Sequence, residues 1–182
     1  MNLTLIKIPK ERVGALIGKG GETKRWIEDR TGARIRIDST EGDVEVNTDR
    51  AQDPSMALIV PNVVKAIGRG FSPEHAVELL DEGVLLEVVD IRDYVGKKPN
   101  HVSRVRSRLI GTRGRTRRIF EDLTGTHISV FGNTVAVIGG SMEVSICMRA
   151  LDMLMTGAEQ ATVYRFLEGK RDYIRVAGMG FD

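Results

Sequence analysis

The sequence predicts an α+β chain with two copies of one small domain, each a three-stranded antiparallel sheet carrying three helices on one face, joined by a helix-containing connector. Two observations lead there. Residues 16–37, LIGKGGETKRWIEDRTGARIRI, and residues 109–130, LIGTRGRTRRIFEDLTGTHISV, align without a gap and are identical at eleven of 22 positions. A spacing this long is not that of a solenoid unit, so a whole domain is repeated. Around each copy, stretches that alternate every second residue and stretches with helical punctuation then recur in one order, strand–helix–helix–strand–strand–helix.

In the first copy Leu3–Ile8 alternates as a strand, and Pro9 suits the first turn of a short helix ending at Ile17,. A loop over Gly18–Gly21 leads to a helix from Glu22 to Thr31, with Gly32 placed to stop it,. Ala33–Ile37 and Val44–Thr48 form a strand pair. Asp53-Pro54 reads as the start of a closing helix that fades at Gly68, and Pro61 inside it demands a kink or a later start,. Ser72-Pro73 opens a connecting helix to Gly83. In the second copy Leu85–Ile91 is the opening strand and Lys97–His101 an extra polar loop. A helix to Ile110, the loop Gly111–Gly114 and a helix to Thr124 follow. The hairpin His127–Phe131 with Val135–Ile138 turns at Gly132-Asn133,. Ser141 reads as the cap of a helix to Thr156, and a last helix spans Ala158–Gly169. The resulting layout is 1–70 for the first domain, 71–83 for the connector, 84–157 for the second domain and 158–182 for a final helix and tail. Ala76, Val77, Leu79 and Leu80 make the connector a folded link, so the copies are expected to form a fixed pair,.

Two glycines spaced as in Gly18-Lys19-Gly20-Gly21 and Gly111-Thr112-Arg113-Gly114 let the backbone turn sharply with no Cβ to bar a close approach,. A sugar–phosphate strand can lie against such a loop, its phosphates near the positive N-terminus of the following helix. Ile17 and Ile35, with Ile110 and Ile128, are candidates for the apolar floor under the bases, and each reads equally well as core. Lys24 and Arg25 in copy one, with Arg104, Arg106, Arg108, Arg115, Arg117 and Arg118 in copy two, would extend the positive edge, although each also reads as a solvated charge,. Trp26 reads as core, because Ile119 takes its place in copy two.

The net charge of +2 hides an asymmetry: residues 1–90 carry 12 Lys/Arg against 16 Asp/Glu, and residues 91–182 carry 15 against 9. No acidic residue lies between Tyr94 and Phe120, a span with nine Lys and Arg, which favours a polyanionic partner,. Catalysis finds no inventory. His75, His101 and His127 are scattered, so no metal or other cofactor is expected,. Glu28-Asp29 and Glu121-Asp122 are adjacent on helices and point apart, so their repetition is assigned to the fold,. The lone Cys147, among Val144, Ile146 and Met148, reads as a small buried hydrophobe,. No apolar run is long enough for a membrane span and the first residues do not resemble a signal peptide, so a cytoplasmic protein is expected,.

This element order, with glycine loops between helices, resembles the eukaryotic-type (type I) KH domain, whose Gly-x-x-Gly loop clamps about four nucleotides of a single strand. Three segments carry a closer resemblance: RLIGTRGRTRRIFEDLTGTHISVFGNTVAVIG at 108–139, AIGRGFSPEHAVELL at 66–80 and TVYRFLE at 162–168. They are similar to the archaeal two-KH ribosome-assembly proteins, relatives of the eukaryotic small-subunit processing factor called the partner of the Nob endonuclease. The resemblance implies a non-enzymatic role at the 3′ end of small-subunit rRNA during its maturation. It also implies a 3′-end endonuclease, an rRNA dimethyltransferase or the alpha subunit of translation initiation factor two as protein partners. Eukaryotic relatives tend to have a degenerate first loop, whereas Gly18 and Gly21 are both present here, which leaves the division of labour between copies open. A scaffold for protein interaction, with RNA contact secondary, is the alternative.

Overall fold

In the computed structural model, which describes residues 2–179, the polypeptide divides between Glu82 and Gly83 into two units, each built around its own sheet. The first unit runs β1 (Leu3–Lys7), α1 (Lys10–Ile17), a 3-10 turn (Lys19–Gly21), α2 (Glu22–Thr31), β2 (Arg34–Asp38), β3 (Asp43–Asn47) and α3 (Met56–Gly68). It ends with α4 (Pro73–Ala76) and a 3-10 turn (Val77–Leu80) that pack on α3. The sheet order is β1–β3–β2, all antiparallel, with Leu5 opposite Glu45 and Ile35 opposite Val46. The two-residue period sends Ile35, Val44 and Val46 to one face, where they are buried, and leaves Arg34, Arg36 and Leu5 exposed,. Val13 and Leu16 of α1, Ile27 of α2 and Val60, Val63, Val64 and Ile67 of α3 supply the helical side of the core.

The second unit repeats the plan with additions: β4 (Val84–Asp90), α5 (Arg92–Val95), α6 (Pro99–Ile110), a 3-10 turn (Thr112–Gly114), α7 (Arg115–Thr124), β5 (His127–Phe131), β6 (Thr134–Gly140), α8 (Ser141–Met155) and α9 (Gln160–Gly178). Its sheet order is β4–β6–β5, again antiparallel, with Ile128 opposite Val137. One core joins Ile128, Val135 and Val137 to Val102, Val105, Leu109, Phe120, Leu151 and Leu154, and α9 adds Val163 and Leu167. Cys147 is buried in it, as read from its apolar neighbours.

Several boundaries move from where the sequence put them. Pro99, Asn100 and His101 are the first turn of α6, not loop, because Pro fits a first helical position that needs no N–H,. Helix α3 starts at Met56, and the Asp53 carboxylate instead accepts the Ser55 N–H in the turn before it (2.8 Å),. Gly140, not Ser141, is the cap of α8. The connecting helix ends at Leu80, and α9 runs on to Gly178, past Gly169, whose lack of a side chain does not break it. Trp26 is the substantive reversal. It is 48% exposed where a core residue was expected, although the next residue, Ile27, is fully buried.

Candidate nucleic-acid interface

The two glycine loops have one conformation. Gly18 sits at φ 75°, ψ 172° and Gly111 at φ 73°, ψ 173°, a region closed to residues with a Cβ,. A Cβ on Gly18 would lie 2.3 Å from Thr23 Oγ1, and a Cβ on Gly111 2.3 Å from Thr116 Oγ1. Gly21 and Gly114 are left-handed and open the helices that follow. The third loop position is left-handed too, and it is Gly20 in one copy but Arg113 in the other (φ 55°). Arg113 is the one non-glycine among the described residues with positive φ.

What holds an arginine there is another arginine. Arg118 Nη2 donates to the Arg113 carbonyl (2.9 Å), and Arg25 Nη2 donates to the Gly20 carbonyl (2.5 Å) from the matching position of copy one. Arg25 and Arg118 thus brace their loops, a role the sequence reading missed in assigning them to the positive edge. Each remains exposed, so its charge still lies beside the loop. One turn further on, Glu28 Oε1 accepts the N–H of Ile35 (2.8 Å), and Glu121 Oε1 accepts that of Ile128 (2.8 Å). Each carboxylate also pairs within its helix, Glu28 with Lys24 (3.6 Å) and Glu121 with Arg117 (3.0 Å). Of the repeated acidic pairs, Glu28 and Glu121 therefore clasp the helix after the loop to the backbone of β2 or β5, a role in the fold, while Asp29 and Asp122 are exposed.

The other candidates separate. Lys19, Thr112, Arg113 and Arg115 are exposed on or beside the loops, whereas Arg104 is exposed and Arg106 half-buried further back on α6. Arg108 leaves the set: its Nη1 donates to the Leu154 carbonyl (2.7 Å) and its Nη2 to that of Ala158 (2.5 Å), tying α6 to the α8–α9 turn. Ile35 and Ile128 are 1% and 4% exposed and belong to the core, so they offer bases no floor. Ile17 and Ile110 keep partial exposure, as do Ile37 and Val130, two residues along the same strand face,. Alternation in β2 and β5 was the signal that could have singled out Ile37 and Val130.

The copies differ at the helix after the loop. Helix α2 opens on Glu22, whereas α7 opens on Arg115, so only the second copy adds a cation at that positive helix end,. Thr116 is 2% exposed because α9 covers it, and its Oγ1 accepts from Gln160 Nε2 (3.1 Å) and Tyr164 Oη (3.2 Å). In the first unit the matching surface is open. Thr23 and Trp26 line a groove of about 510 Å³ with Glu22, Pro73, Glu74 and Val77. No helix of the described residues is long and apolar enough to cross a membrane.

Comparison with known proteins finds one KH domain in each unit. Residues 3–52 match the KH domain family, and residues 85–172 match the eukaryotic-type KH domain (KH-domain type I) of the PNO1 second-domain group. A KH domain-containing protein of Methanocaldococcus jannaschii is 44% identical over 177 residues, 97% of this chain and 77% of the relative. Among solved structures, Dim2p from Pyrococcus horikoshii is similar with TM-score 0.85 and 43% identity, covering 92% of this chain and 98% of that one. A second Pyrococcus horikoshii structure, of a complex of a/eIF2alpha, aDim2p and rRNA, matches with TM-score 0.88 and 42% identity over 94% of both chains. A protein of unknown function from Aeropyrum pernix matches with TM-score 0.90 and 38% identity, over 97% of this chain and 94% of that one. The chain belongs to the family of archaeal tandem-KH proteins that includes Dim2p, with a second domain of the PNO1 type.

Proposed function

We propose that this chain binds single-stranded RNA through its two glycine loops and acts in assembly of the small ribosomal subunit, at the 3′ end of its rRNA. The observation that carries the RNA-binding part is the loop built twice in one backbone conformation, with matching braces from Arg25 and Arg118. Phosphates would lie against Gly18–Gly21 and Gly111–Gly114, and bases beside Ile17 and Ile37 or Ile110 and Val130. A paired A-form helix hides its base edges from such a cleft, so the ligand is an unpaired strand. The rRNA target is supported by the similarity to a protein solved in complex with rRNA and a/eIF2alpha. That complex also makes an initiation factor alpha subunit a candidate partner, and the family resemblance adds a 3′-end endonuclease and an rRNA dimethyltransferase.

The test is a competition among the rRNA tail as a free strand, the tail annealed to its complement, and a scrambled strand of equal composition. The free tail should win over both. Duplex binding as tight as that of the single strand defeats the RNA-loop reading, and an equal scrambled competitor removes the rRNA target. The second reading, protein docking on the first unit, is favoured by the exposed Trp26 in its groove. RNA affinity that falls steeply with salt supports the first reading over the second.

A further inference from the structure

The second unit has a wall that the first lacks. The repeat aligns Ser103 with Lys10, the first residue of α1, so Pro99–Val102 are an extra helical turn and α6 has 12 residues against eight in α1. In both units the hairpin tip closes on the end of the first strand: the Gly42 carbonyl accepts the Ile8 N–H (2.9 Å), and the Asn133 carbonyl accepts that of Ile91 (2.8 Å). In the first unit α1 begins two residues after Ile8. In the second, residues 92–98 intervene as α5 and a polar link, with Tyr94 and Val95 packed against the core. The result is a pocket of about 390 Å³ bounded by Arg92, Lys97, Pro99, Ser103, Arg106 and Asn133.

The pocket is aligned with the loop. Pro99, Ser103, Arg106 and Ile110 follow each other at helical spacings of three or four, so they form one stripe that leads to Gly111,. At 1.5 Å per residue, Arg106 lies roughly 7 Å and Pro99 roughly 18 Å from Gly111 along the axis. The chemistry is that of an anion site. No side chain caps the first turn of α6, which contains no acidic residue. Arg106 Nε is buried and has no hydrogen-bond partner among the described residues. Lys97 is exposed at the rim, while Arg92 is held by Asp90 (2.6 Å), whose carboxylate offsets its positive field. An arginine with an unused donor gains from a negative ligand, and the helix dipole, with no acidic residue in the first turn to offset it, adds to that,.

We propose that this pocket is an additional phosphodiester subsite, through which the second unit holds a strand longer than the roughly four nucleotides a KH loop clamps. It rests on the RNA-binding reading above. Arg106 and Lys97 receive the backbone beyond the loop, and Asn133 and Ser103 offer hydrogen bonds.

The test uses the full chain carrying Lys19→Asp and Gly20→Asp, which weakens the first loop. Single-stranded RNAs of four, six and eight nucleotides share one core and are extended from either end. Extension at one end should raise affinity, and Lys97→Glu or Ser103→Asp should cut that gain by about two- to fivefold, the range of a screened charge contact. The four-nucleotide core should bind all proteins alike. A gain that survives both substitutions, equal gains at both ends, or weakened binding of the core itself overturns the subsite while leaving the loop reading intact. Failure of every oligonucleotide to bind defeats both.

Discussion

Gly111→Ala should cripple the second unit, whereas Gly114→Ala should only weaken it, although both glycines have φ near 74°. At Gly111 the ψ of 173° places alanine in a backbone region almost reserved for glycine, at about 1–3 kcal/mol,. The new methyl would also meet Thr116 Oγ1 at 2.3 Å and the Thr116 backbone nitrogen at 2.7 Å. That hydroxyl cannot swing away freely, because Gln160 and Tyr164 both donate to it. Overpacking of this kind adds about 1–3 kcal/mol. Gly114 lies in the ordinary left-handed well, its nearest neighbour the flexible tip of Arg117 at 3.8 Å, so alanine there costs about 1–2 kcal/mol,. Denaturant unfolding of the three proteins reads the difference directly. The expected losses are about 2–6 kcal/mol for Gly111→Ala and about 1–2 kcal/mol for Gly114→Ala. Equal losses would refute the argument that Thr116, and not backbone conformation alone, dictates the first glycine.

Two further predictions test the asymmetry of the copies and the buried thiol. Replacing Thr112 and Arg113 by Asp should weaken RNA binding more than replacing Lys19 and Gly20, because α7 opens on Arg115 where α2 opens on Glu22; titration with one RNA decides, and a larger loss from copy one overturns it. Burial pushes the Cys147 thiol up to about 11 from an ordinary 9.0, against a weaker opposing hydrogen bond from Thr126. The folded state holds its proton longer than the unfolded chain, so this contribution is intact below pH 9 and is lost as pH rises towards 11, by up to about 3 kcal/mol. The fall in unfolding free energy over that window should flatten in Cys147→Ala, and an unchanged slope would assign the effect elsewhere.

The element order and the two loops were legible because glycine, proline and strand alternation act locally. Gly32 and Gly125 end their helices left-handed, as the sequence predicts for Gly32. What was not legible depends on partners distant in sequence. Nothing local distinguishes Arg108, which spends its donors on carbonyls 46 and 50 residues away, from Arg104, which stays exposed. Trp26 reads as core because Ile119 matches it, but Ile119 is itself only half-buried, so the equivalence carries no burial over, and the α9 that packs on α7 has no counterpart in the first unit. The extra turn of α6 reads as loop from its polar residues, although Pro99 signals a first helical position,.

Gly18, Thr23, Arg25 and Glu28, like Gly111, Thr116, Arg118 and Glu121, touch or brace one segment in succession. The glycine leaves room for the threonine, the arginine fixes the loop carbonyl, and the glutamate fastens the helix to the strand. The heritable unit is therefore wider than a pair of glycines. A domain that keeps Gly-x-x-Gly but has lost the threonine, arginine and glutamate at +5, +7 and +10 from the first glycine retains the spelling of this loop without its geometry. One that has exchanged the third loop residue, as Gly20 and Arg113 differ here, retains the geometry under another spelling.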